Sequence, residues 1–400
     1  MKTKVNDNSP IRVALLIDQL SPGATPKFIG EEFKYLKNEG YEIEVISIVE
    51  GGLDENAYQF QEFLDGIKIR YLSREFPLLN RLMFKLRPFS FLSGYHLASI
   101  FVLPRLIKKN EYDIIIAHAW ESSYFGHLIW RRNKIPYIAL LWDPASYLLD
   151  RIYTNSIPKI LMKFLSWLSL YSDKILASDS LEVVTAAEQI AKIIRTFTSK
   201  RVTVISPGCY PVSKIPEKRG DYALAIDRWD IGNRPDILLD VLEKMNNKIK
   251  LVVAGFWWPE TLRKSFMDSL EEKGLTNYVK VLGPVTEEEL KKLYLNARVW
   301  VHPIEETINI CAMEAASHGC PIIMFEETDL FNHKEHGFFP RNIDEYAKYL
   351  DMLTNDERLA WKMGHNAWQL MKQYTWKDHS RKFDEIIKRK LRRIDNENGS

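Results

Sequence analysis

Glu306 and Glu314 stand eight positions apart in Pro303-Ile-Glu-Glu-Thr-Ile-Asn-Ile-Cys-Ala-Met-Glu-Ala-Ala-Ser-His-Gly-Cys-Pro321, on either side of a predicted helix start. Asn309 has the right type and place for an N-cap. Ile310 to His318 is a short run of helix formers, and Gly319 and Pro321 supply the stop. One carboxylate therefore precedes the helix and the other lies about one turn inside it. The unpaired N–H groups of a helix start attract anions. A helix start flanked by two carboxylates suits a ligand with phosphate in its middle and hydroxyls at both ends, as in a nucleotide sugar.

The elements that must carry this segment follow an α/β rhythm. Ile11–Ile17 reads as a strand, followed by the loop Asp18–Pro26, a helix over Lys27–Asn38, and a strand over Tyr41–Ile48. Further strands are predicted at Ile67–Leu72, Asp113–Ala117, Tyr137–Leu141, Lys174–Ala177 and Val202–Ile205. A second series follows Ser206-Pro-Gly-Cys-Tyr-Pro211, with strands at Tyr222–Ile226, Lys250–Ala254, Val279–Leu282, Val299–His302 and Pro321–Phe325. Helices are predicted between them at about 235–246, 259–273, 286–296 and 310–318, and after them at about 342–353, 355–373 and 376–393. The expected fold class is α/β, with two tandem Rossmann-like doubly wound domains facing a cleft. The domains are 1–207 and 208–375, and a C-terminal helix within 376–400 is placed to pack back on the first domain. Ligands of open parallel sheets bind beyond the carboxyl ends of the strands.

Bulk properties agree with this size. Four hundred residues exceed one ordinary core, and a formal charge of +2 has none of the basicity of a nucleic-acid binder. No apolar run reaches the ~18–20 residues of a membrane span. The polar N-terminus has no signal-peptide core, so the expected location is the cytoplasm. Cys209, Cys311 and Cys320 make no metal-ligand pattern and read as free thiols.

The segment Val279–Ile323 resembles the family-4 retaining glycosyltransferases of the GT-B fold. It combines Val279-Lys-Val-Leu-Gly-Pro, Glu289-Leu-Lys-Lys-Leu-Tyr-Leu-Asn-Ala297, Trp300-Val-His-Pro-Ile-Glu-Glu306 and Met313-Glu-Ala-Ala-Ser-His-Gly-Cys-Pro-Ile322. The order and spacing match the family's Glu-x7-Glu context over some 45 residues. Arg12–Ser47 is similar to the family's first strand, glycine loop and helix. Ala225–Leu239 is similar to its diphosphate-gripping strand and loop. Tyr171-Ser-Asp-Lys-Ile-Leu-Ala-Ser-Asp-Ser180 matches its Ala-Asp-x-Ile-x-x-x-Ser element.

The resemblance implies roles residue by residue. Arg228 clamps the donor diphosphate. Asn233 stands where the family carries lysine, and Arg234 next to it offers the missing charge, although arginine and lysine are not equivalent ligands. Glu314 accepts hydrogen bonds from the ribose, Glu306 contacts the transferred sugar, and Asn309 and Ile310 offer backbone N–H groups. Gly23 lets the first-domain loop approach the phosphate, with Ala24 in place of a second glycine. Gly255 ends a strand before Phe256-Trp257-Trp258, whose tryptophans either wall the donor pocket or pack. Ile308-Asn309 replaces the family's Phe-Gly. Trp142-Asp143 replaces a His-Asp pair in the sugar or acceptor pocket, and His118 lies at the same sheet edge, where it could take the histidine's part.

The implied activity is a retaining, metal-independent hexosyl transfer from a UDP- or GDP-sugar to a hydroxyl, with no cofactor beyond the donor. The implied partners are the nucleotide sugar and a glycan or lipid-linked acceptor. Residues 67–109 carry nine Lys/Arg against one acid, Glu75, among many aromatics. This suits either an anionic membrane surface, making the protein peripheral, or a basic acceptor loop. The amphipathic stretch Ile157–Leu168 is expected to pack on the first sheet. The readings left open beside the enzyme are a degenerate relative that binds nucleotide sugar or glycan without turnover, and an epimerase of the same fold.

Overall fold

The computed structural model describes residues 9–20, 24–50, 62–79, 81, 94–153, 159–304, 308–325 and 329–399. The first domain contains β1 (Arg12–Ile17), α1 (Ala24–Asn38), β2 (Glu42–Ser47), β3 (Ile69–Tyr71), α2 (Leu72–Glu75), α3 (Gly94–Leu106), β4 (Ile114–His118), α4 (Ala119–Asn133) and β5 (Tyr137–Leu140). It continues through α5 (Ala145–Tyr153), α6 (Lys159–Asp179), β6 (Glu182–Thr185), α7 (Glu188–Arg195) and β7 (Val202–Val204). The second contains β8 (Tyr222–Ile226), α8 (Asp236–Lys244), β9 (Lys250–Ala254), α9 (Glu260–Glu272), β10 (Val279–Gly283), α10 (Glu287–Asn296) and β11 (Val299–Val301). It ends with α11 (Ile310–Ser317), β12 (Ile322–Ile323), β13 (Gly337–Phe338), α12 (Ile343–Asn355), α13 (Glu357–Met371) and α14 (Trp376–Gly399).

Both sheets are parallel and doubly wound. The first runs β3-β2-β1-β4-β5-β6-β7 and the second β10-β9-β8-β11-β12-β13. Each order reverses beside its first strand, at β1/β4 and at β8/β11, and those switch points open ligand crevices at the carboxyl ends. The strands are short apolar runs because both faces are covered. Leu15, Leu16, Ile115 and Ile116 are buried on opposite faces of the first sheet, as Leu224, Ala225, Val299 and Trp300 are in the second.

One predicted element is wrong in kind. Lys174–Ala177, expected as a strand, is the end of α6, and the strand is β6 at Glu182–Thr185. The family motif read at Tyr171–Ser180 therefore also falls on helix. Leu165, Ser169, Asp173, Leu176 and Ala177 are the buried positions of α6, which is helical spacing. β6 escaped notice because it begins with a charged residue. Glu182 is fully buried, and its carboxylate is met by Arg389 Nη2 at 2.7 Å, Lys390 Nζ at 2.9 Å and the Thr203 hydroxyl. Those two cations come from the far end of the chain.

That end is α14, which leaves the second domain and packs on the first. Phe383, Ile386, Ile387 and Leu391 join Ile29 and Leu36 of α1 in the first domain's core. The crossing at Thr375–Trp376 runs against the interdomain linker: a Cβ on Gly208 would lie 2.2 Å from the Trp376 nitrogen. The domains are thus joined by two adjacent crossings. Phe383 is fully buried, so Phe383→Ala is expected to cost about 3–5 kcal/mol in urea unfolding. Trp258→Ala, at an exposed site, is expected to stay within about 0.5 kcal/mol.

Candidate active site

Between the two switch points lies a cavity of about 1130 Å³. The first domain contributes Thr25, Phe28, His118, Trp142 and Asp143 to its walls, and the second contributes Asn233, Ile308 and Ile310. Ile308 packs against the cores of both domains.

The helix start anticipated from sequence is α11. Asn309 caps it, its side-chain oxygen accepting from the Ala312 N–H at 2.8 Å, and Gly319 turns the chain away with φ +80°. Ile310 faces the cavity. Glu306 and Gly23 lie outside the described residues.

Glu314 sits one turn into α11 with a partner that sequence reasoning did not supply. Lys27, from the first turn of α1, reaches across the domain boundary and its Nζ binds Glu314 Oε1. Glu287 Oε2 is 3.6 Å from the same ammonium, and the Tyr294 hydroxyl donates to Glu314 Oε2 at 3.2 Å. Burial alone would lower the Lys27 pKa, but the charges of Glu314 and Glu287 outweigh it and raise the pKa, so the side chain stays cationic. The proposed ribose ligand is therefore held by the opposite domain in this state. Only the closeness of Lys27 to the glycine loop hinted at a site role.

His118 sits where β4 turns sharply into α4. The turn is made by Ala119 at φ +72°, a conformation costly for a residue with a Cβ. The ring is buried, and Nε2–H donates to Glu32 Oε2 at 3.0 Å. Glu32 Oε1 accepts from Nε2 of His379, at 3.1 Å, and Nδ1 of that ring donates to the Ser206 carbonyl at 2.9 Å. Glu32 thus ties α1, β4 and α14 together and fixes the tautomer of His118. Nδ1 of His118 remains without a hydrogen-bond partner among the described residues, in a side chain that lines the cavity. Burial would raise the Glu32 carboxyl, but the His118 charge and the hydrogen bonds from both histidines bring it down to about 2. Neither Glu32 nor His379 stood out in the sequence, because each partner is distant along the chain.

The other expected residues fall in three places. Trp142 and Asp143 line the cavity, with the Trp142 ring 4.4 Å from Phe28, which also packs on Trp376 and His379. Arg228 and Arg234 are about half exposed and neither lines the cavity, although Asp230, Gly232 and Asn233 beside them do. Arg228 pairs with Asp230 at 3.1 Å and Arg234 with Asp236 at 2.7 Å. Between them Asn233 donates to the Arg228 carbonyl at 2.8 Å and faces the cavity. Gly255 has φ +117°, and a Cβ there would meet the Asp227 carbonyl at 1.9 Å, so only glycine fits. Trp257 belongs to the second-domain core, Trp258 is exposed, and neither lines the cavity. At the second switch point the buried His302 bonds Asp227 Oδ2 at 2.8 Å and stacks on Trp300, a contact the His-Pro motif had left unread. At the first, burial and then the Glu121 charge push the Asp18 carboxyl up to about 8.

The model of glycosyl transferases group 1 matches residues 213–370, and that of Glycosyltransferase Family 4 matches residues 27–211. The chain belongs to the family-4-type GT-B glycosyltransferases. Among curated relatives it is 24% identical to an uncharacterized glycosyltransferase of Methanocaldococcus jannaschii, covering 81% of this chain and 89% of that one. It is 22% identical to D-inositol 3-phosphate glycosyltransferase of Xylanimonas cellulosilytica, covering 54% and 56%. Of solved structures, Anabaena HepE in complex with UDP-glucose superposes with a TM-score of 0.69 at 15% identity, over 94% of this chain and 99% of that one. Sucrose-phosphate synthase from Thermosynechococcus elongatus gives 0.72 at 16%, over 95% and 98%. At these identities the structural likeness shows the shared GT-B fold.

Two expectations follow for this glycosyltransferase. Breaking the Lys27–Glu314 pair from one side leaves a buried charge, so Lys27→Met is expected to lose about 3–5 kcal/mol. Lys27→Met/Glu314→Gln should lose clearly less than the sum of the single changes, read as a coupling energy in urea unfolding. Because the folded Glu32 value lies below its ordinary 4.5, its contribution is complete above about pH 4.5 and is lost as pH falls toward about 2. The stability gap between wild type and Glu32→Gln is therefore expected to stay constant from about pH 7 to 5 and to narrow on further acidification.

Proposed function

We propose that this enzyme moves a hexosyl group, with retention, from a UDP- or GDP-sugar to a hydroxyl of a glycan or lipid-linked acceptor in the cytoplasm, without a protein-bound metal. The observation that carries the reading is the cavity between the two switch points, with the capped start of α11 on one side and the His118 ring on the other. Charge gathers on the departing diphosphate as the sugar leaves. The α11 N-terminus and, from the loop beside the cavity, Arg228 and Arg234 are the groups proposed to meet it, the arginines exchanging their aspartate partners for phosphate. In the front-face course that the family resemblance implies, the donor phosphate takes the acceptor's proton, so Trp142 in place of histidine removes no obligatory base. The polar side chains on the cavity walls, Thr25, His118, Asp143 and Asn233, are then the candidates to meet hydroxyls of the sugar. The solved neighbour bound to UDP-glucose supports the choice of donor class.

The degenerate reading draws on the Lys27 grip on Glu314 and on the aspartate partners of both arginines. Purified protein would be incubated with a panel of UDP- and GDP-sugars plus glycan and lipid-linked acceptors, and free nucleoside diphosphate measured. Turnover with one donor is expected, falling roughly 100-fold in Arg228→Ala. Absence of turnover with every donor, while nucleotides still raise the melting temperature through mass action, would replace the enzyme by the non-catalytic binder.

A further inference from the structure

Helix α6, which carries most of the amphipathic stretch Ile157–Leu168, turns one face toward the first-domain core and leaves the other exposed. The inner face holds Leu165, Ser169, Asp173, Leu176 and Ala177. Asp173 fixes the helix's rotation: its carboxylate accepts from the Ala145 N–H at 3.1 Å, the Ser146 N–H at 3.0 Å and the Ser146 hydroxyl at 2.6 Å, at the start of α5. The outer face therefore cannot roll inward.

That outer face carries Ile160, Leu161, Phe164, Trp167 and Tyr171, each between 44% and 87% exposed. Ile160, Phe164, Trp167 and Tyr171 recur at i, i+4, i+7 and i+11, a single stripe roughly 16 Å long at 1.5 Å per residue. Their rings pack on one another, Phe164 to Trp167 at 6.1 Å and Trp167 to Tyr171 at 5.9 Å, so together they form a continuous apolar ridge. A contiguous exposed ridge of this kind marks an interaction surface. On α6 the exposed charges have one sign: among the described side chains the exposed cations are Lys163 and Lys174, and no exposed position is acidic. Asp173 is buried, and the half-buried Asp179 lies 3.3 Å from His127.

We propose that the outer face of α6 docks on an anionic lipid bilayer, lying in the headgroup region with its aromatic ridge inserted and Lys163 and Lys174 on lipid phosphates. Amphipathic Trp and Tyr rings with lysines beside them are the composition that an interfacial helix uses. A second copy of the chain fits less well. A two-fold mate would set the lysines of one ridge near those of the other, with no exposed acid on either helix to answer them. The described cations of residues 67–109 are partly committed elsewhere: Arg70 pairs with Glu75 at 2.7 Å and with Glu111 at 2.8 Å, and Arg74 pairs with Glu50. Lys85 and Arg87 lie outside the described residues. The surface assigned here does not depend on which acceptor the enzyme uses, so it stands or falls separately from the proposed reaction.

Flotation of the full-length protein with vesicles tests it. One set would be pure phosphatidylcholine and the other would include about a third phosphatidylglycerol, at low and at 0.5 M salt. Wild type is expected to float with the anionic vesicles and to lose most of that binding in salt. Phe164→Glu/Trp167→Glu is expected to cut the bound fraction at least tenfold, and Lys163→Glu/Lys174→Glu to abolish the preference for phosphatidylglycerol. Both variants should keep the wild-type melting temperature and turnover of a soluble acceptor. A wild type that floats with neither vesicle, or a Phe164→Glu/Trp167→Glu variant that floats as wild type does, overturns the proposal. So does a wild-type dimer in sedimentation that this variant converts to monomer, which would show that the ridge is covered by a second copy.

Discussion

The buried ion pair between Lys27 and Glu314 sets the state in which the cleft is seen. It is the contact that brings an ammonium of α1 to helix α11 of the other domain, and it does so with both side chains mostly removed from water. Two charges so enclosed are costly unless they meet, and costlier still when only one is present. Closure of the domains thus carries its own electrostatic condition. Glu287 and the Tyr294 hydroxyl complete the cluster, so Glu314 is fixed in orientation before any nucleotide arrives.

Around this pair the rest of the site is held by long-range polar contacts. Glu32 gathers His118 and His379, and through His379 the linker carbonyl of Ser206. The helix α14 that bears His379 also supplies Arg389 and Lys390 to the buried Glu182 of β6. One returning helix therefore satisfies two carboxylates buried in the first domain. It also places Trp376 and His379 against Phe28, whose ring supports Trp142 in the cavity wall. The cavity's first-domain side rests on the last 25 residues of the chain as much as on its own sheet.

Much of the architecture was legible in the sequence because it rests on local pattern. Mostly apolar runs of five or six residues between turns marked β1, β8 and β9, alternation marked β2, and Asn309 with Gly319 bounded α11 by capping chemistry alone. Reading failed where local pattern and tertiary context disagree. Lys174–Ala177 has the composition of a strand but belongs to a helix whose buried positions are spaced by three and four. β6 opens with a glutamate whose burial is tolerable only because cations arrive from α14. Periodicity marked the stretch Ile157–Leu168 as two-sided, but it could not show that Phe164, Trp167 and Tyr171 stay uncovered, because that depends on what the fold brings beside them.

The sequence by itself determined the α/β class, the two-domain order, the family, and the helix that presents Glu314. Each follows from spacing over a few tens of residues, where hydrophobic period, caps and turns act. Only the tertiary structure decided that Glu314 is held by Lys27, that His118 is oriented by Glu32, and that Arg228 and Arg234 rest on aspartates. These are pairings between side chains brought together by the fold or by the exact path of one loop. Their energies depend on burial and distance, and neither quantity exists in a linear sequence until the chain has closed on itself.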